Sequence, residues 1–129
     1  MNERYVLAID NGSQSTKVHV VDATGKIVAS AQQPLRPYAY PAPGQVVHPD
    51  DDLWDSITTA CRDVMRAFTG DPKDIVGVGL CTIRFCRALL DSRGELVEPV
   101  LSWMDERVSR PHVADERVAY VTTSSGYIT

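Results

Sequence analysis

Short apolar runs dominate the first third of the chain, and apolar positions at helical spacing follow in its middle. Tyr5, Val6, Leu7, Ala8 and Ile9 lead straight into Asp10, and the apolar pattern resumes at Val18, His19, Val20 and Val21. β-branched and aromatic residues suit a pleated, half-buried surface, so strands are expected over residues 5–10 and about 16–22, joined by a tight polar turn. Ala23, Thr24 and Gly25 supply the next turn, and a third strand is expected from Lys26 to about Gln33. Two hairpins in succession form a three-stranded antiparallel meander. Pro34 and Pro37 end it, because proline has no N–H to give the ladder. Five prolines and Gly44 then make residues 34–49 an extended loop.

Beyond the loop, Leu53, Trp54, Ile57, Ala60, Cys61, Val64, Met65 and Phe68 recur at helical spacing up to Gly70, which predicts an amphipathic helix. Asp50, Asp51 and Asp52 open it and are expected to cap its N-terminus rather than to bind metal. Ile75, Val76, Gly77, Val78, Gly79, Leu80 and Cys81 are nearly all apolar, as expected of a central strand covered on both faces. The helix would then be a right-handed crossover that lays this strand parallel to the first. Residues 87–91 and 95–97 flank Ser92, Arg93 and Gly94, a further hairpin. A helix is expected to begin near Trp103 before Pro111 interrupts it, with a weak helical tendency over residues 112–120. The pattern is that of an α/β fold with a mixed sheet: meander, crossover helix and central parallel strand.

With 129 residues the chain has material for one domain core and too little for two lobes closing on a ligand. Its net charge of −4, with acids and bases interspersed, provides no basic footprint for nucleic acid or an anionic membrane surface. No apolar stretch approaches the roughly 18 residues of a membrane span. Cys61, Cys81 and Cys86 form neither an even disulfide framework nor a closely spaced metal pair. They are expected to be small buried residues in a reducing, cytoplasmic compartment. His19, His48 and His112 likewise lack the spacing of a metal set.

The first turn carries the candidate chemistry. Asp10, Asn11, Gly12, Ser13, Gln14, Ser15, Thr16 and Lys17 place a carboxylate, a glycine, three hydroxyls and an amine within eight positions. Such a turn suits a magnesium-bound polyphosphate: Gly12 allows close backbone approach, and successive N–H groups can face phosphate oxygens. Lys17 adds a compact positive charge, and Asp10 could hold metal-bound water. The alternative is a purely structural hairpin, since Asn-Gly is a strong turn signal through its tolerance of positive φ.

Four ordered segments resemble the N-terminal part of FGGY-type carbohydrate kinases, within the superfamily of actin, hexokinase and heat-shock chaperone ATPases. Residues 10–17 look like that superfamily's first phosphate loop. Residues 43–49, leading to Leu53 and Trp54, are similar to the family's loop and helix start. Residues 77–86 fall at its sugar-contacting strand end, and Trp103, Asp105 and Arg107 match its tryptophan, aspartate, arginine pattern. The resemblance implies a ribonuclease-H-like lobe and ATP-dependent, magnesium-assisted transfer of a γ-phosphoryl group to a sugar or polyol hydroxyl. It assigns Asp10, Asn11, Gly12, Ser13, Gln14, Ser15 and Lys17 to the ATP phosphates, with Asp10 reaching the metal through water. Arg84, Phe85, Trp103 and Asp105 would meet the acceptor.

Ile83 and Phe85 stand where the family commonly has polar residues, which implies an altered acceptor preference. On the residues alone, Arg84 could also be a solvated edge charge, Phe85 and Trp103 core aromatics, and Asp105 an ion-pair partner of Arg107. The resemblance places the general-base aspartate and the second lobe beyond residue 129. The expectation is therefore a truncated N-terminal lobe over 1–129, inactive alone, able to self-associate through an uncovered apolar face. The alternative is a non-catalytic nucleotide-binding or interaction module of the same superfamily.

Overall fold

Strand β1 (Tyr5–Asn11) pairs antiparallel with β2 (Ser15–Asp22), and β2 with β3 (Ile27–Pro34), as the alternation requires. The computed structural model describes residues 3–129. Helix α1 (Asp52–Ala67) follows the proline-rich segment, and β4 (Ile75–Thr82) joins the sheet beside β1 in the order β3-β2-β1-β4. The fold is a mixed α/β arrangement with a mixed sheet. Contacts divide the chain into two compact units: the residues up to Leu35 with Leu53–Cys81, and Arg36–Asp52 with Thr82–Thr129.

In the first unit the strands' alternate residues meet the apolar stripe of α1. Tyr5, Val18, Val20, Ala29, Ala60 and Val64 are buried together, with Leu7, Ile9, Met65, Phe68 and Ile75 packed against them. Tyr5 meets Phe68 edge-on with ring centroids 4.9 Å apart. Burial of each aliphatic side chain contributes about 1.5–3 kcal/mol, so this inner face sets the register of the meander. The second hairpin closes as expected: Asp22 Oδ1 accepts from the backbone N–H of Thr24 (2.8 Å) and Lys26 (3.0 Å), and Gly25 takes φ 86°.

The expectation for β4 needs correction. It occupies the end of the four-strand order, and Val76 and Val78 are 64% and 65% exposed. Its alternate residues face away from α1, where this unit has no second layer among the described residues. Cys81 is exposed for the same reason, contrary to the expected burial, while Cys86 is buried.

The second unit is built from short bridges rather than long strands. Val47 bridges Ala39 and Leu101, Arg87 bridges Leu101, and β5 (Ala88–Leu90) pairs with β6 (Tyr120–Thr122). The turn expected at residues 92–94 forms, with Asp91 Oδ1 accepting from Arg93 N–H (2.8 Å) and Glu95 N–H (3.0 Å). Leu90 bridges Leu96 across this hairpin, but the longer ladder of β5 is with β6, and residues 112–120, weakly helical in pattern, form no helix. A short helix, α2 (Ser124–Ile128), closes the unit, and the helix expected near Trp103 is only a 3-10 turn over Glu106–Ser109. Two of the three aspartates at the start of α1 have a further partner besides any role at the helix end. Asp52 receives the backbone N–H (2.8 Å) and Nε (3.1 Å) of Arg36, and Asp50 its Nη1 (3.0 Å), so these two anchor Arg36.

Candidate functional site: the first turn and the acceptor-side residues

The first turn has its tip at Ser13–Gln14. Gly12 N–H donates to Ser15 O at 3.0 Å, one step beyond the Asn11↔Thr16 pair of the ladder. Gly12 has no positive φ, so the turn does not use the Asn-Gly conformation that a simple hairpin signal presupposes. A Cβ at Gly12 would lie 3.2 Å from Ser15 O, a tight contact that glycine avoids. Leu35 N–H donates to Gln14 O at 2.9 Å, and Gln32 Nε2 to Ser15 Oγ at 3.0 Å, bracing the tip from β3 and its exit.

Strand parity sorts the predicted residues into two sets. Asp10 and Lys17 face each other across β1 and β2 on the side away from the core, both exposed. Among the described residues neither makes a side-chain hydrogen bond or ion pair, so both charges remain available. Asp10 also lines a recess of about 430 Å³ with Ala8, Ile9, His19, Gly79, Leu80 and Cys81. Ser13 and Gln14 are exposed at the tip and Ser15 is half-buried. Hydroxyl, amide and ammonium donors for anionic oxygens, beside a free carboxylate for a hydrated cation, fit a magnesium polyphosphate.

Two of the predicted contributions are corrected. Asn11 has no exposure and its Nδ2 donates to Thr16 Oγ1 at 2.8 Å, so its side chain belongs to the interior rather than to a phosphate. The Gly12 amide, spent on Ser15, is likewise closed to an anion. Sequence reasoning missed Thr16 and Ser56 as structural partners of this turn. Their oxygens lie 2.7 Å apart, fully buried and 40 residues apart in sequence. The available signal was Thr16 itself, a polar residue at an inward position of an otherwise apolar face.

The acceptor-side residues lie in the second unit. Phe85 holds φ 63° and is 79% exposed, a strained position for an aromatic residue and the opposite of a core role. Arg84 is exposed and unpaired among the described residues, whereas Arg87 spends its guanidinium on the carbonyls of Arg107 (3.0 Å), Val108 (3.4 Å) and Arg110 (2.8 Å). Trp103 is 53% exposed. Asp105, by contrast, is 1% exposed, and its carboxylate accepts from Val46 N–H (2.8 Å), Arg107 N–H (2.9 Å), Arg107 Nε (2.9 Å) and Arg107 Nη2 (2.8 Å). Burial pushes its acidity down, but the hydrogen bonds and charge of Arg107 with the Val46 amide prevail and hold the carboxyl below the ordinary range. Asp105 is therefore a structural anion, which corrects its expected contact with an acceptor.

Residues 5–115 match the FGGY family of carbohydrate kinases, N-terminal domain. The chain belongs to this family. It is 47% identical to the uncharacterized sugar kinase YgcE of Escherichia coli K12 over the whole chain and 26% of that protein. A glycerol kinase of Xanthobacter autotrophicus is 32% identical over 81% of the chain and 21% of its own length. Among solved structures, xylulose kinase from Rhodospirillum rubrum superposes with a TM-score of 0.69 at 25% identity, covering 81% of this chain and 21% of that one. This FGGY chain thus spans about a quarter to a fifth of the length of these relatives. Among the described residues, no helix is long and apolar enough to cross a membrane, and no group of three or more His, Cys, Asp or Glu could hold a metal.

Proposed function

We propose that this chain is the phosphate-holding N-terminal part of a cytoplasmic, ATP-dependent kinase acting on a sugar or polyol hydroxyl, and that it does not turn over without a second lobe. The observation that carries this reading is the unpaired Asp10 and Lys17, presented side by side on the open face of the first hairpin. Magnesium-ATP, when bound, supplies the transferable phosphoryl group and its charge neutralisation. Lys17 would offset phosphate charge, Ser13, Gln14 and Ser15 would offer donors at the tip, and Asp10 would hold water bound to the metal. Asn11 and Gly12 act indirectly, by holding the turn in shape. The proton of the acceptor hydroxyl is assigned to a base outside these residues.

On the acceptor side, the reading uses Arg84 as a donor to hydroxyls and Phe85 and Trp103 as apolar walls for a carbon skeleton. Ile83 and Phe85 offer no side-chain hydrogen bonds, so acceptors that demand a polar partner there are disfavoured. A second reading, a non-catalytic module that self-associates, is favoured by the exposed Val76 and Val78.

The test grafts residues 10–17 of this chain into the Xanthobacter glycerol kinase at the matching turn. The graft is expected to keep glycerol-dependent ATP consumption to within about tenfold, a shift of about 1.4 kcal/mol in the barrier, and to lose it when Asp10→Ala is added. A folded graft with no ATP consumption would refute the phosphate role of this turn.

A further inference from the structure

The inner face of the first hairpin is apolar at Tyr5, Val18 and Val20 and turns polar at its far end, where Asn11 and Thr16 are buried without any exposure. Polar groups in a core are costly unless paired, so the pairing they find carries information. Asn11 Nδ2 lies 2.8 Å from Thr16 Oγ1, Thr16 Oγ1 lies 2.7 Å from Ser56 Oγ, and Ser56 Oγ lies 2.8 Å from Leu53 O. A backbone carbonyl only accepts, so Ser56 must give its single proton to Leu53. Thr16 must then donate to Ser56, and Asn11 must donate to Thr16 through its amide nitrogen. The chain of bonds has one direction, from the turn into the first turns of α1. Asn11 Oδ1 is left as a buried acceptor with no partner.

We propose that Thr16 and Ser56 are positioning residues for the phosphate turn, locking the turn end of the first hairpin onto α1 so that Asp10 and Lys17 are presented in a fixed geometry. This rests on the proposed phosphate role for its purpose, but not for its physics. Thr16 and Asp10 lie on opposite faces of adjacent strands, so a change at Thr16 reaches the exposed pair only through the backbone of the turn. The unsatisfied Asn11 oxygen has the same consequence: among the described residues no other hydrogen bond fixes that side chain once Thr16 stops accepting from it.

The test compares Thr16→Val, which keeps the shape and removes the hydroxyl, with Thr16→Ser, which keeps the hydroxyl and loses the methyl. Ser56→Ala is the second way to cut the same chain. The readout is amide hydrogen exchange at Gly12, whose N–H closes the turn on Ser15, with the Ala60 amide in α1 as the measure of global stability. Thr16→Val and Ser56→Ala are expected to speed Gly12 exchange by about tenfold, and Thr16→Ser to restore it to within about twofold of the parent. Unchanged Gly12 exchange in Ser56→Ala, or Thr16→Ser behaving like Thr16→Val, would overturn the proposal. The same proteins titrated with magnesium tripolyphosphate separate the two claims. No response in the parent chain refutes the phosphate role, while the exchange rates still decide the positioning role.

Discussion

Replacing Asp105 with asparagine should weaken the second unit severely, because four donors converge on one buried carboxylate. Asparagine keeps one acceptor oxygen and turns an NH2 group toward donors, so at least one of the Val46 and Arg107 N–H groups loses its partner. Removing one member of a buried ion pair costs about 3–5 kcal/mol. The Arg107 side chain is 31% exposed and Glu98 lies 3.5 Å from its Nη1, so part of the guanidinium can be rehydrated or re-paired. That discounts the expected loss to about 2–3 kcal/mol. With an urea slope of about 2 kcal/mol/M, the midpoint should fall by roughly 1–1.5 M. The assay is urea unfolding followed by Trp103 fluorescence in a Trp54→Phe background, so that the signal comes from the unit holding Asp105. A loss below about 0.5 kcal/mol would place Asp105 among ordinary surface residues and refute its structural assignment.

His48 supplies a pH prediction. It is 1% exposed with its ring 4.9 Å from that of Tyr38, and burial, opposed in part by the charge of Asp52, lowers its pKa from 6.5 to about 4. The unfolded state binds the proton first, so this contribution to stability is whole above pH 6.5 and is lost as pH falls toward 4, by up to about 3 kcal/mol. Urea midpoints measured across that window should decline in the parent and stay flatter in His48→Phe; parallel declines would contradict the assignment. The thiols give a third expectation. Cys81 is exposed, Cys61 half-buried and Cys86 buried, and burial pushes the last two thiols up. A thiol reagent at neutral pH should therefore modify Cys81 first in the folded protein, and equal rates at all three would contradict it.

Local chemistry explains which parts of this molecule could be read from its residues. The meander, both Asp-to-Gly turns and α1 follow from alternation, turn residues and helical spacing, all of which act within a few positions. β4 was legible as a strand, but not as the exposed end of its sheet, because covering layers are a property of distant segments. The β5–β6 pair escaped for a related reason: Ala88–Leu90 finds Tyr120–Thr122 some 30 residues later, while the expected hairpin adds a bridge between Leu90 and Leu96 beside its turn. At the first turn, residue types brought forward Asp10 and Lys17 as candidates, whereas the inward direction of Asn11 depends on strand parity and on Ser56, 40 residues beyond Thr16. Asp105 was weighed against two roles that its identity alone cannot separate. Its convergence with Val46, 59 positions away, decides between them.

The central claim is that the open face of the first hairpin receives a nucleotide's phosphates. Its most direct measurement is a titration of this chain with magnesium-ATP, followed through the amide resonances of residues 10–17. The account predicts saturable shifts at Ser13, Gln14, Ser15 and Lys17 at millimolar nucleotide, absent in Asp10→Ala while the rest of the spectrum is preserved. No shift in those residues at millimolar magnesium-ATP, or equal shifts in the Asp10→Ala chain, would contradict it.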